Sequence, residues 1–467
     1  MIDGCTQALR DLDHVRQVVA ETCFPIEPSA PVPGRVGLES ESFPVRVLAD
    51  GTPSGRVPLD LLADLLHPEA GASSVPGCQR EAASTPLFRL DGGGSLNFEP
   101  GGQLEHSSAI HAGAAGALAE LDLVSCSLSS LLRRHGMVLA AAGADVWLPN
   151  GHVPQQLRAP RYPAMAAYFD RRGPYGAAMM RRTCSLQVNL DLGGAAELPQ
   201  RWLVANLAAP LLSATFACSP GPGAVSTRAL AWQRLDPTRT GFPRLLLKGS
   251  AADPVEQLTQ AAMAADVLLL RSPEGPWEPG TPGWTFQHWL RDGHPRLGRP
   301  TDDDLRYHLS TLFLEVRPRG FLELRAIDAL PWRLRAVPVV LLTGLIEDPL
   351  ARSTAAASLE RHRGALPELA RRAATSGLAD PTLRALAAEV WALALEGAGR
   401  LPASYLDPAQ LRLAAEFLDD YTLRGRCPAD ELRAALARGP AAALAWASEP
   451  DRTRTDSEVR DAVCPFP

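Results

Sequence analysis

The stretch Ser95–Ser107, SLNFEPGGQLEHS, restricts the fold more than any other part of the chain. It follows a glycine turn, Asp91-Gly92-Gly93-Gly94, and is interrupted by Pro100-Gly101-Gly102, so two short extended runs meet at a bend or bulge. At strand period, Glu99, Gly101, Gln103 and Glu105 fall on one side and Phe98 and Leu104 on the other. Two carboxylates set among glycines, with an amide between them, suit a place where a cation approaches the backbone. A glycine-rich surface hairpin with solvated acids has the same local pattern. Partner stretches elsewhere decide between the two.

Three further stretches divide in the same way. In RVGLESESFPVRV, Gly37, Glu39, Glu41 and Phe43 share one face, opposite Val36 and Leu38. TCSLQVNLD turns Cys184, Leu186, Val188 and Leu190 toward a core and Thr183, Ser185, Gln187, Asn189 and Asp191 away from it. LFLEVRPRGFLELRAID reads as two strands around Pro318-Arg319-Gly320, with Leu322 and Leu324 inward and Glu323 and Arg325 outward. An ordinary solvated antiparallel face also alternates, but it usually mixes in Lys and Thr. Here the outward set is Glu39, Glu41, Glu99, Glu105, Gln187, Glu323 and Arg325. Carboxylates crowded on one sheet repel strongly unless cations neutralise them. Hard divalent cations take oxygen ligands, and Mg²⁺ is commonly shared between carboxylates and substrate phosphates. Arg228, Arg234, Arg239 and Arg325 suit a phosphoryl group or a substrate carboxylate. The residues therefore point to a Mg²⁺-nucleotide phosphoryl-transfer site built on an antiparallel sheet.

The rest of the chain narrows the class. No Walker A motif and no Rossmann glycine fingerprint occurs. A net charge of -6 argues against a dedicated nucleic-acid binder. The eight cysteines form no Cys-x-x-Cys pair, which argues against a zinc site or a disulfide framework and favours a reducing cytoplasm. The polar N-terminus does not read as a signal peptide, and the apolar run 203–218 is broken by Asn206 and Pro210, too short for a membrane span. Helices are expected over 6–23, 58–66, 109–134 and 202–216, as a short pair parted by Gly173-Pro174, and throughout from Trp332. Residues 71–85 read as a loop, and Ser272–Thr301 as a lid or ordered surface loop. The expected organisation is an N-terminal helix and connector over 1–33, a catalytic domain over 34–348, a helical region over 349–448 and a loose tail over 449–467. His106 and His111 are left out of the metal set, and Cys184 reads as a packed core thiol.

The segments GLESESF, FEPGGQLEHS, RYPAMAAYF, GAAMMRRTCSLQVNLD, STRALAWQRLDPTRTGF and YHLSTLFLEVRPRGFLELRAIDALPW occur here in the order in which a known family carries them. From about Val36 to Asp348 the chain resembles the plant-type glutamate–cysteine ligases and their bacterial branch, similar to the ergothioneine-pathway glutamate–cysteine ligases. The resemblance implies an α+β, glutamine-synthetase-like fold, in which a curved antiparallel sheet flanked by helices forms the active-site floor. It implies ATP- and Mg²⁺-dependent ligation of the glutamate γ-carboxylate to the cysteine amine through a γ-glutamyl phosphate. Glu39, Glu41, Glu99, Glu105, Gln187 and Glu323 would hold two or three Mg²⁺ ions. Arg234 and Arg239 would take the ATP phosphates, Arg228, Arg161 and Gln103 the substrate, and Arg325 and Arg239 would act in catalysis. The expected partners are glutamate, cysteine and ATP, with no nucleic acid, membrane or protein partner inferred. Two alternatives remain at this point: a γ-glutamyl ligase of the same fold with another amine acceptor, and a non-catalytic binding homologue.

Overall fold

The computed structural model describes residues 7–27, 31–67, 75, 78–81, 85–148, 153–249, 253–271 and 276–448. Its centre is an antiparallel sheet whose main path runs Val316–Pro318, Phe321–Asp328, Ser185–Asp191, Val36–Val47, Leu104–Ser107, Ser95–Phe98, Phe88–Arg89 and Gln79–Arg80. The long strand Val36–Val47 bridges two neighbourhoods. Its first half pairs with Ser185–Asp191 and Leu104–Ser107, and its second half with Met137–Ala140 and Pro53–Arg56. The α+β class and the antiparallel floor are as expected.

The alternation read from the sequence sets the layers. Val36, Leu38, Leu186, Val188, Leu190, Leu322 and Leu324 are buried in one core beneath the sheet. Each such side chain contributes roughly 1.5–3 kcal/mol on full burial. The helices Leu198–Thr215 and Ala336–Glu347 close that core from below, the first fixed to the sheet where Ser213 donates to the Ala326 carbonyl at 3.1 Å. The hairpin has its own support. Phe98 and Leu104 lie opposite one another in the register and pack with Phe88, Leu96, Leu59, Leu62 and Leu128 in a second cluster. Gly102 turns the hairpin at φ +78, a conformation that a side chain would disfavour.

Element boundaries shift where capping chemistry intervenes. The first helix spans Leu12–Cys23 rather than 6–23, because Asp11 accepts the His14 N–H at 2.9 Å and starts it there. The helix after the hairpin is Ala114–Arg133, beginning after Gly113. It is long and apolar enough to cross a bilayer by composition, yet Ala117, Leu118 and Leu121 pack into the main core. Loop 71–85 is described only in part, with Gln79–Arg80 forming a short strand. The stretch 276–301 is no open loop: Thr285 caps the helix Phe286–Asp292, whose Phe286 and Trp289 are buried.

From Ala336 the chain is helical to Ala447. Ala336–Glu347 lies against Pro381–Arg400 at such short range that a Cβ on Gly344 would sit 2.0 Å from the Ala394 carbonyl oxygen. The tail expected over 449–467 lies outside the described residues.

Candidate active site

The polar face of the sheet floors a cavity of about 460 Å³. Glu39, Glu41, Glu99, Glu105 and Gln187 line it from the floor with Asn97 beside them, Arg317 and Arg325 stand on the sheet's last two strands, and Arg161, Arg228 and Arg319 complete the lining from outside the strands. Acids and arginines thus share one enclosure, and the sheet register explains the floor. Glu41 pairs with Glu105 across one strand boundary, and Glu39 with Gln187 across the other, so their side chains leave the same face side by side.

The acids are not equivalent. Ser185 holds Glu41 through its N–H and hydroxyl, both at 2.9 Å, and Asn189 donates to Glu39 at 3.1 Å. Burial pushes the Glu39 carboxyl up to about 7, with Glu105 and Glu323 adding to the rise. Burial and the neighbouring Glu41 bring Glu105 to about 7 as well. Glu99 is raised further by burial, Glu105 and Glu41 together, with Arg161 and Arg325 offsetting only part. Glu323 is the exception. Burial opposes its charge, but Arg325, Arg317 and Arg319 overcome that and hold it far below the usual carboxylate range. Arg317 grips it with two bonds at 2.6 and 2.9 Å, and Arg325 and Arg319 add contacts at 2.8 and 3.1 Å.

Among the described residues no three acidic, histidine or cysteine side chains are gathered tightly enough to chelate an ion as they stand. The donor chemistry nevertheless fits a hard cation: the floor offers oxygen ligands, its carboxyls are raised by burial and by one another, and the buried Asn97 Oδ1 has no hydrogen-bond partner.

Several expected site residues stand elsewhere. Arg239 is fully buried, donating to Asp236 and Thr311 at 2.8 Å and to the Asp266 carbonyl, so it cannot reach a nucleotide in the cavity. Arg234 points to the outside of its helix, donating to the Tyr175 hydroxyl at 2.8 Å. Gln103 borders the cavity, but its amide is already used, accepting from Gly101 at 2.9 Å and donating to the Thr183 carbonyl at 3.0 Å. It braces the hairpin instead of presenting a free amide. Glu323 is enclosed by its three arginines and does not line the cavity, so its oxygens are not free for an ion.

Arg228 is placed by a small buried network. Ser226 caps its helix, accepting from Ala229 at 3.0 Å, and Ser219 and Ser226 both donate to Asp328. The Arg228 guanidinium donates to the Arg325 carbonyl at 2.8 Å and stands 3.6 Å from Asp328. Arg317 and Arg319 were missed as site residues, although Glu315, Arg317 and Arg319 alternate with Leu314, Val316 and Pro318 in the sequence, and that period was legible. Tyr162, Met165, Met179 and Met180, which supply an apolar wall, carry no comparable signal.

Residues 35–459 match the family described as "Glutamate-cysteine ligase family 2(GCS2)". The chain is 35% identical over 410 residues to the glutamate–cysteine ligase EgtA of Mycolicibacterium smegmatis, covering 85% of this chain and 91% of that one. It is 29% identical over 261 residues to a chloroplastic glutamate–cysteine ligase of Brassica juncea, covering 54% and 50%. A solved glutamate–cysteine ligase from Francisella tularensis, in complex with AMP, superposes with a TM-score of 0.46 at 13% identity, covering 94% of this chain and 90% of that one. With its matched span running through both the acidic sheet face and the helical region behind it, the chain belongs to glutamate–cysteine ligase family 2.

Proposed function

We propose that this enzyme joins the γ-carboxylate of glutamate to the amine of cysteine, driven by ATP, through a γ-glutamyl phosphate. The observation that carries the reading is the enclosure of Glu39, Glu41, Glu99 and Glu105 with Arg161, Arg228, Arg317, Arg319 and Arg325 around one cavity. Such an arrangement suits polyphosphate and two carboxylate-bearing substrates together, and the reaction requires no protein nucleophile. Mg²⁺, held by Glu39, Glu41, Glu99, Glu105 and Gln187, would neutralise charge on the phosphate oxygens.

The chain's own groups then divide the work. Arg317 and Arg319 take the ATP phosphates, in place of Arg234 and Arg239. Glu323, enclosed between them and Arg325, keeps the three guanidiniums in a fixed array. Arg325 faces the transferring phosphoryl group and offsets the charge that spreads over its oxygens. Arg228 and Arg161 hold glutamate by its α-carboxylate. An oxygen of the γ-carboxylate attacks the γ-phosphorus and ADP leaves. The cysteine amine then attacks the acyl carbon, phosphate leaves with the attacking oxygen, and the amine proton passes to solvent. The reaction belongs to a reducing cytoplasm, where free cysteine and unpaired thiols such as Cys23, Cys78 and Cys218 persist.

Glutamate labelled with oxygen-18 in the γ-carboxylate tests the route, and a panel of amines with product identification by mass tests the acceptor. The label should appear in released phosphate, and γ-glutamylcysteine should dominate the products. Label retained wholly in the peptide would rule out the acyl phosphate. A dominant product from another amine would overturn the acceptor.

A further inference from the structure

Beside the main cavity lies a recess of about 10 Å³, bounded by Arg228, Trp232, Phe313, Glu315 and Arg325. Arg228, Trp232, Phe313 and Arg325 also line the cavity, so the two spaces share a wall. The two guanidiniums flank the Trp232 ring, at 6.0 Å for Arg228 and 5.4 Å for Arg325. The carboxylate of Glu315 is the anionic wall. The Glu315 main chain is fixed, accepting from Arg325 N at 3.0 Å, while its side chain makes no hydrogen bond or ion pair with another described residue. Burial opposes the Glu315 charge and the Arg228 and Arg325 guanidiniums offset part of that, so the carboxylate keeps its hydrogen-bonding capacity for a ligand's donor.

The space decides what that partner can be. A recess of this size holds one water-sized group, which an ammonium is. An α-amino acid carries an ammonium and a carboxylate on one carbon, and so needs an anion and a cation placed side by side. Glu315 and Arg228 meet that requirement. Of the two amino acids in the reaction, cysteine must present an unprotonated amine in order to attack, and a neighbouring carboxylate would favour the protonated form. The α-ammonium of glutamate stays charged throughout.

We propose that Glu315 receives the α-ammonium of glutamate while Arg228 holds the α-carboxylate, and that this pair selects an α-amino acid over a plain dicarboxylate. The proposal rests on the reading of Arg228 as the glutamate-carboxylate residue. The competing role for Glu315 is general charge balance for Arg228 and Arg325, which would be blind to the ammonium.

The test compares glutamate with glutarate, the same skeleton without the ammonium. In Glu315→Gln the KM for glutamate should rise about tenfold or more, as for loss of a charge-assisted bond, with the competitive inhibition constant of glutarate nearly unchanged. Glu315→Asp, with its shorter reach, should show a smaller loss of the same kind, and it carries the test if Glu315→Gln does not fold. Equal weakening of glutamate and glutarate, or an unchanged KM for glutamate, would overturn the proposal. Arg228→Lys separates the reading beneath it: glutamate and glutarate should weaken together, because both carry the carboxylate. No effect of Arg228→Lys on either would retire the Arg228 role, while the Glu315 comparison would still decide the ammonium.

Discussion

Ser185 holds both oxygens of Glu41, its N–H on Oε2 and its hydroxyl on Oε1, each at 2.9 Å. The adjacent Glu99 has no such anchor, and burial with two neighbouring carboxylates raises it well above its ordinary value. Burial raises Glu41 as well, but Arg228 and Ser185 offset part of that rise, so the floor is graded between an acid with donors around it and one pressed by other acids.

That grading predicts how stability changes with pH. The Glu39 and Glu105 carboxyls rise from 4.5 to about 7 in the folded protein, so between these values the folded state binds more protons than the unfolded state. Their contribution is full below the unfolded value and is lost as pH rises through 7. In EDTA the melting temperature should fall from pH 5 to pH 8. Mg²⁺ should recover much of the loss at pH 8 and little at pH 5. A melting temperature flat across that window in EDTA would count against the repulsive floor.

The floor was legible because a strand's period of two exposes its faces directly in sequence. Glu39, Glu41, Glu99, Glu105 and Gln187 all stand on the expected side, with Leu186, Val188 and Leu190 on the other. The arginines were harder. Arg228, Arg234 and Arg239 share one short segment and one chemistry, but a helix of 3.6 residues per turn sends Arg228 inward and Arg234 outward. Arg239 follows the helix end, where Asp236 captures it at 2.8 Å. Which buried acid claims an arginine is set by contacts distant in the chain, such as those of Arg239 to Thr311 and Asp266. Pairing of Arg317 with Glu323 likewise needed the strand register, which places the two directly opposite.

Arg239 and Arg234 should respond in opposite ways. Arg239→Met removes one of the two guanidiniums on buried Asp236, leaving Arg172 at 3.2 Å, and takes the donor from the Thr311 and Asp266 carbonyls, which should cost about 1–3 kcal/mol of stability. Denaturant unfolding would read this as a lower midpoint, and the KM for ATP of the remaining folded enzyme should hold. Arg234→Ala should change stability by less than about 0.5 kcal/mol and leave the KM for ATP unaltered. A selective rise in the ATP constant with either variant would return that arginine to the nucleotide.

Cys184 lies on the core side of its strand, fully buried, and burial raises its thiol well above the ordinary value. A thiol held neutral there is no nucleophile. Cys184→Ala should cost of order 1 kcal/mol through a modest cavity and keep the ligase activity. Inactivation at unchanged melting temperature would place the sulfur in the chemistry.

Arg228 offers the sharpest test of substrate placement. Its guanidinium is anchored on one side by the Arg325 carbonyl at 2.8 Å and lines the cavity. A planar fork fixed in this way can give two parallel hydrogen bonds to a carboxylate, which a lysine ammonium cannot reproduce. Arg228→Lys should raise the KM for glutamate about tenfold or more, on the order of 1–3 kcal/mol for a charge-assisted bond. The constants for ATP and cysteine should move much less. Steady-state kinetics with each substrate varied in turn distinguishes the outcomes. A rise confined to ATP would group Arg228 with Arg317 and Arg319 on the phosphates. Glutamate would then have to be held by Arg161, whose guanidinium donates to the Tyr162 hydroxyl and which also lines the cavity.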